Sequence, residues 1–159
     1  MAFSAGAALL AGLAGTVVMT VVMMMGRAMG MTNMDIALIT GGMMVREEKR
    51  ARSAGMMIHL VMMGTVVFGL LYAALFHALG SASVVTGLLV GLVHGLVVGM
   101  MAMPMMGAIH PRMQGAGDGF TLDAPGFMGV GYGKGTPMGL LAGHLMYGLV
   151  VALVYGTLV

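Results

Sequence analysis

Long apolar runs make up most of this chain, and charged side chains interrupt them in only two places. A helix needs about 20 mainly apolar residues to cross the hydrocarbon core of a bilayer, and it satisfies its own backbone polar groups where water is absent. The middle run is long enough for two such helices, with a break at residues 80–83. The pattern predicts an all-α membrane protein with one domain, residues 1–159, and four transmembrane helices near 4–28, 55–79, 83–109 and 137–158.

The charges predict an orientation as well as a fold. The predicted loops 29–54 and 110–136 lie on one side of the membrane, and all seven Lys and Arg residues lie in them or, for Arg27, just before the first. Loops rich in Lys and Arg stay in the cytoplasm. We therefore expect both termini on the non-cytoplasmic side. No Lys or Arg precedes Arg27, so the first apolar run lacks the basic start of a signal peptide and is interpreted as a retained helix.

Composition removes several classes of function. Only 8% of the residues are charged, against about 25% in soluble domains, so the lipid bilayer is the expected surrounding. The absence of cysteine excludes disulfides, thiolate metal sites and cysteine nucleophiles. The net charge of +2 is too small to indicate nucleic acid. Nothing in the sequence indicates a catalytic group, so we expect no enzyme activity.

The two charged loops differ in character. Asp35 is placed to cap a helix, and the apolar stretch 36–45 after it is expected at the membrane interface. The charged run 46–52 is interpreted as a solvated helix start rather than a lipid-headgroup site, since its two Glu residues dilute the positive charge. Loop 110–136 is rich in glycine but lacks the spacing of a nucleotide-binding P-loop, and we expect a flexible connector.

Small residues recur at intervals of four on three of the helices, and residues four apart share a helix face. Such a face lets another backbone approach closely. Two alternatives stay open for it: packing inside the bundle, or docking to another subunit. A weak internal repeat further suggests two tandem, parallel helical hairpins. The small-residue strips are Gly87, Gly91, Gly95 and Gly99 in helix three, Gly148, Ala152 and Gly156 in helix four, and Ala7, Ala11 and Gly15 in helix one.

Three histidines, His59, His94 and His144, lie inside the apolar helices. Polar groups in a membrane are costly and usually face the bundle interior. From the rise of a helix, we expect His94 and His144 to meet near the middle of the membrane, with His59 nearer the cytoplasm. His77 and His110 lie at helix ends and are expected at the interface.

The 23 methionines are concentrated in the cytoplasmic halves of the predicted helices. Thioether and imidazole groups suit copper, and paired histidines also ligate haem. One hypothesis is therefore a copper or haem site. The alternative is that methionine, a flexible apolar residue, forms a compliant surface. The candidate ligands of the first hypothesis are His59, His94, His144, Met62 and Met63.

Short motifs spread over the chain resemble a group of small four-helix prokaryotic membrane proteins of unassigned function. These motifs are Met-Asp-Ile-Ala at 34–37, the methionine-rich end of helix three with His-Pro at 110–111, and Gly-His-Leu-Met-Tyr-Gly at 143–148. The resemblance implies the same architecture in a prokaryotic inner membrane, and it carries no activity. The positions that match its pattern are Met34, Asp35, His94, His144, Tyr147 and Gly148.

Three functions are compatible with these features. The leading one is a non-enzymatic accessory or assembly subunit that contacts other integral membrane subunits. The second is a metal- or haem-binding membrane protein, and the third is a small transporter or channel. The third is weakest, because the predicted spans carry no Asp, Glu or Lys, and no Arg except Arg27 near the end of the first, to line a path.

The orientation is testable because the chain has no cysteine of its own. A Ser83→Cys variant should react with a membrane-impermeant thiol reagent in intact cells, whereas Ser53→Cys should react only after lysis. The reason is the one-sided distribution of Lys and Arg. The reverse labelling pattern would overturn the orientation.

Overall fold

The computed structural model describes residues 2–115 and 118–159. Residues 116 and 117 of the predicted loop 110–136 lie outside the described part. Within it the chain is all-helical, and four helices are long and apolar enough to cross a membrane. The predicted fold class and the multi-pass membrane architecture are thereby confirmed. The helices are α1 (Ala5–Ala28), a short α2 (Ile36–Gly42), α3 (Glu48–Leu79), α4 (Val84–Ile109) and α5 (Thr136–Leu158), with a 3₁₀ segment at Phe127–Tyr132.

Helices α1 and α5 pack along each other, with α3 against α1 and α4 against α5. Glycine permits both of these outer contacts. A Cβ atom at Gly12 of α1 would lie 2.8 Å from the Cα atom of Gly69 in α3. A Cβ atom at Gly91 of α4 would lie 2.5 Å from the carbonyl oxygen of His144 in α5. The backbones therefore approach more closely than any side chain would allow, which gives α1–α3 and α4–α5 the contacts of two hairpins.

The glycine strip of α4 faces the interior of the bundle. Gly87 lies against Ala152 and Gly148, and Gly95 lies against the side chain of His144. Gly99 extends the strip to the side chain of Met128 in the 3₁₀ segment. Two alternatives were open for this strip, and in the structure it packs inside the bundle. The strip is therefore covered by the chain itself and is not available to another subunit.

Helix α3 begins at Glu48, seven residues before the predicted start at 55, which was wrong. The hydrophobic pattern detects only the part of a helix that lies in the hydrocarbon. The charged residues before it are good helix formers, and they are further tied by ion pairs from Arg52 to Glu48 and Asp35. The helix therefore continues beyond the apolar run. It does so on the side of the membrane that carries the two long connections, after α1 and after α4, and we call this the loop side.

Parts of α3 and α4 are π-helical. The segments are Ile58–Phe68 and Val98–Ala102. In the first, the Thr65 hydroxyl donates to the Leu60 carbonyl five residues earlier, at 2.7 Å. The second directly precedes Met103 and Pro104, and proline has no N–H to donate to the turn before it. π-helices bond i to i+5, so these segments wind more widely than an α-helix.

The loop 110–136 is folded against the bundle in its described part, so the expected flexible connector was wrong there. Tyr132 is buried, its hydroxyl donates to the Asp123 carbonyl at 2.6 Å, and its own carbonyl accepts from the N–H of Asn33 at 2.7 Å. Positive φ angles at Gly129 and Gly133 allow the tight turns that bring this segment back. Glycine here shapes the loop instead of loosening it.

His110 is also not interfacial as expected, because α2 and the loop cover it completely. Its Nε2–H donates to the carbonyl of Ile39 in α2 at 2.8 Å, and its Nδ1 accepts from the N–H of Arg112 at 3.1 Å. Helix α2 itself packs on α3, where Gly41 contacts the backbone of Ala51. The stretch after Asp35 thus lies on protein rather than only at the interface.

Two glycine-to-alanine substitutions, one at the close α4–α5 contact and one away from it, test this contact. Gly91→Ala should lower the free energy of unfolding in detergent by about 1–3 kcal/mol, because its Cβ meets backbone that must shift. Gly139→Ala in α5 is the control, since a Cβ atom there has no neighbour within 4 Å. It should raise the same free energy by up to about 1 kcal/mol through helix propensity. Equal stabilisation of both variants would contradict the packing.

Candidate intramembrane histidine site

Aromatic and histidine side chains from three helices meet inside the bundle. Phe68, Tyr72 and Phe76 follow one another at intervals of four along α3. His94 comes from α4, and His144 from α5. Tyrosine and histidine carry polar atoms that need partners in a membrane interior, so this is the part of the bundle where chemistry other than packing is expected.

His94 is the centre of the cluster. Its Nδ1 atom lies 3.1 Å from the hydroxyl of Tyr72. Its ring lies 4.1 Å from the ring of Phe68 and 4.5 Å from that of His144, measured between centroids. The two imidazoles meet edge to face, with 81° between their planes. The structure therefore brings the two predicted central histidines into direct contact.

His144 is fixed by its own helix and by glycine on the neighbouring one. Its Nδ1 donates to the carbonyl of Leu140 at 2.8 Å, since a carbonyl can only accept. The proton is thus on Nδ1, and Nε2 carries a lone pair. Gly95 provides the room for this side chain, because a Cβ atom there would lie 3.0 Å from the Cβ atom of His144.

His59 lies in the π-helical part of α3. Its Nε2 atom is buried, and it has no hydrogen-bond partner in the described part of the chain. A buried polar atom without a partner costs free energy. Of the three predicted histidines, His94 and His144 are thus in contact, and His59 has an unsatisfied ring nitrogen.

Tyr147 joins the cluster to the π-helix. Its hydroxyl donates to the carbonyl of Gly64 at 2.7 Å, and its ring stacks edge to face on Tyr72 at 5.0 Å. Gly64 in turn lies against Thr16 of α1, whose hydroxyl donates to the carbonyl of Gly12 at 2.6 Å. The Tyr147 hydrogen bond therefore links α5 to α3, and the Thr16 side chain packs α1 against α3 at the same glycine.

The predicted copper and haem ligands are not arranged as a preformed site. No three His, Asp or Glu side chains in the described residues stand where they could hold one metal ion. Edge-to-face contact between His94 and His144 leaves no space for a haem between them. Met62 is 56% exposed and Met63 37% exposed on the bundle surface. Met63 follows His59 by four residues, yet its side chain lies on the outer surface, whereas the Nε2 atom of His59 is buried.

Sequence reasoning missed Tyr72 as a partner of His94, and it missed Thr16. The available signal for Tyr72 was a tyrosine within an apolar span, because a buried tyrosine hydroxyl usually finds a hydrogen-bond partner. Met34, one of the motif positions, is buried in a second apolar cluster near the loop side. That cluster also contains Ile39, Met103, Tyr132 and Leu140.

The comparisons with known proteins give a family and no activity. The sequence pattern of one family, described as a family of unknown function (DUF6789), matches residues 3–159. The chain belongs to the DUF6789 family. No curated protein and no solved structure matches it.

In this DUF6789 member, the motif position Asp35 organises the charges of the loop side. Its carboxylate caps α2 by accepting from the N–H of Leu38 at 3.1 Å, and it pairs with Arg27 at 2.9 Å and Arg52 at 3.0 Å. Burial raises the pKa of this carboxyl. The Leu38 hydrogen bond and the two arginines outweigh burial and hold the pKa below its ordinary value of 3.8.

Tyr132 shows the opposite effect in the neighbouring loop. Burial, aided by the negative charge of Asp123, raises the pKa of its hydroxyl to about 12. The hydroxyl therefore stays protonated at physiological pH and remains a donor to the Asp123 carbonyl.

Asp35→Asn should lower the free energy of unfolding at pH 7 by about 1 kcal/mol, because asparagine still caps a helix but loses both arginine pairs. Since the folded-state pKa of Asp35 is depressed, the difference should be complete well above pH 3.8 and vanish as pH falls through the folded-state value. Asp123→Asn is the matched control, and it should show no such pH-dependent difference. A constant difference across pH would refute the charge explanation. Chemical unfolding in detergent at a series of pH values measures the difference in free energy of unfolding between each variant and the wild type.

Proposed function

We propose that this protein is a non-enzymatic accessory or assembly subunit of a larger membrane complex. We place it in a prokaryotic inner membrane, with the loop side in the cytoplasm and both termini on the other side. The orientation rests on the one-sided Lys and Arg residues. The prokaryotic membrane rests on the motifs at 34–37, 110–111 and 143–148.

The observation that carries the subunit proposal is a division of the outer surface of α3 and α4 into two zones. In the zone nearer the termini, the exposed large hydrophobic side chains of these helices are Leu and Val, including Leu71, Leu75, Val85 and Leu89. The exposed methionines of the same helices all lie in the half nearer the loop side. We call these residues the methionine belt: Met57, Met62, Met63, Met100, Met101 and Met105.

Lipid alone does not account for this division. Lipid acyl chains surround both halves of a helix, and they contact Leu, Val and Met side chains equally well. Methionine differs from Leu and Val in its unbranched, flexible chain and polarizable sulfur, which adapt to an irregular partner surface. A protein partner that contacts only the loop-side half of α3 and α4 would account for both zones.

The other features agree with this proposal. The chain is short, and the described residues form one membrane bundle with folded loops. The glycine strips are used within the bundle, whereas the belt lies on its outer surface, where a partner can reach it. The two outer helices that carry it, α3 and α4, are also less buried within the bundle than α1 and α5.

A second candidate is metal binding at the histidine cluster, and the unpartnered Nε2 atom of His59 favours it. A metal ion would satisfy this atom together with the lone pair on His144. The side chains would have to rearrange first, because the described residues hold no three ligands in position. We rank this candidate second for that reason.

Photo-crosslinking distinguishes a partner surface from a lipid surface. A photoreactive amino acid placed at Met62 or Met101 in the native host should give a discrete adduct with another membrane protein. The same residue at Leu71 or Leu89 is the control, and it should give lipid adducts only, because these positions lie in the aliphatic zone. Adduct masses on denaturing gels provide the measurement. The subunit proposal would be contradicted if neither zone gave protein adducts, or if both zones gave them equally.

A further inference from the structure

A groove rich in methionine opens where α1 ends and α5 begins, away from the methionine belt. Its volume is about 310 Å³. Three parts of the structure supply its walls: the last turns of α1, the chain just after it, and the first turns of α5. Six methionines line it, namely Met23, Met25, Met29, Met31, Met34 and Met138.

The chemistry of the groove is unusually uniform. None of the described residues that line it is Asp, Glu, His, Lys or Arg. The two hydroxyl groups in its wall, on Thr32 and Thr136, lie 2.7 Å apart and bond to each other. Among the side chains of the groove, the thioether sulfurs are the remaining donor atoms. Hard cations such as Mg²⁺ and Ca²⁺ prefer oxygen ligands, whereas thioethers select soft ions such as Cu(I).

The shape of the groove suits an ion that arrives from the loop side. Met25, Met29 and Met138 are 56%, 64% and 61% exposed, while Met34 is buried. Gly139 adds room in the wall, since a Cβ atom there would have no neighbour within 4 Å. A methionine side chain has three rotatable bonds, so sulfurs from separate segments can converge on one point. The belt methionines, by contrast, are spread over the outer faces of α3 and α4.

We propose that this methionine groove binds a soft monovalent metal ion, Cu(I) or its analogue Ag(I), through thioether sulfurs. A single positive charge costs less to place in an open groove at the end of the bundle than in its closed interior. This site uses none of His59, His94 and His144, and it does not depend on the subunit proposal.

Ag(I) is the probe, because it shares the ligand preference of Cu(I) and does not change oxidation state. The full-length protein, purified in detergent with a tag free of histidine, is titrated with Ag(I) by calorimetry. The test variant is Met25→Leu/Met29→Leu/Met138→Leu, which changes only exposed side chains and nearly conserves volume, so the fold is retained. The control is Met57→Leu/Met62→Leu/Met101→Leu, the same change in the belt. A third protein carries His94→Ala.

The wild type should bind Ag(I) at a defined stoichiometry. The groove variant should bind it at least about tenfold more weakly, since even outer-shell changes at metal sites cost this much. The belt variant and the His94→Ala variant should bind like the wild type. The proposal is overturned if the wild type binds no Ag(I), if groove and belt variants weaken equally, or if His94→Ala alone abolishes binding. Elution volume on size exclusion verifies the fold of each variant.

Discussion

Contact between helix backbones, made possible by glycine, is the constraint on which this structure depends. In lipid no hydrophobic effect presses one helix against another, so dispersion and short hydrogen bonds must hold the bundle. Gly12 and Gly69 bring α1 and α3 together, and Gly91 and Gly148 do so for α4 and α5. Each glycine weakens its own helix by up to about 1 kcal/mol. That loss is offset only where another backbone occupies the space.

The histidine cluster follows from these contacts. Because α4 lies so close to α5, the ring of His144 has room only over Gly95, and from there it meets His94. On the opposite side, the approach of α1 to α3 leaves the Gly64 carbonyl within reach of Tyr147. The polar groups are thus placed by the smallest residues in the chain, and the aromatic side chains of α3 fill the wider gap between α3 and α4.

Much of this was available from the sequence, and the failures have physical causes. The four spans followed from the absence of charge, and the contact between His94 and His144 agrees with simple depth arithmetic. The start of α3 did not follow, because a hydrophobic pattern does not detect helix outside the hydrocarbon. The outward position of Met63 did not follow, because spacing along one helix does not tell which of its faces the neighbouring helices cover. Buried His110 was missed because its cover comes from α2, distant in sequence.

The two hairpins also bear on how the protein is made. A chain emerges from the ribosome N-terminus first, so α1 and α3 can close on Gly12 and Gly69 while α4 and α5 are still unmade. The contact of α1 with α5, and the cluster that needs α3, α4 and α5 together, can form only after the last helix has entered the membrane. During synthesis the hydroxyl of Tyr72 in α3 therefore enters the bilayer before its final partner, His94 of α4, has been made.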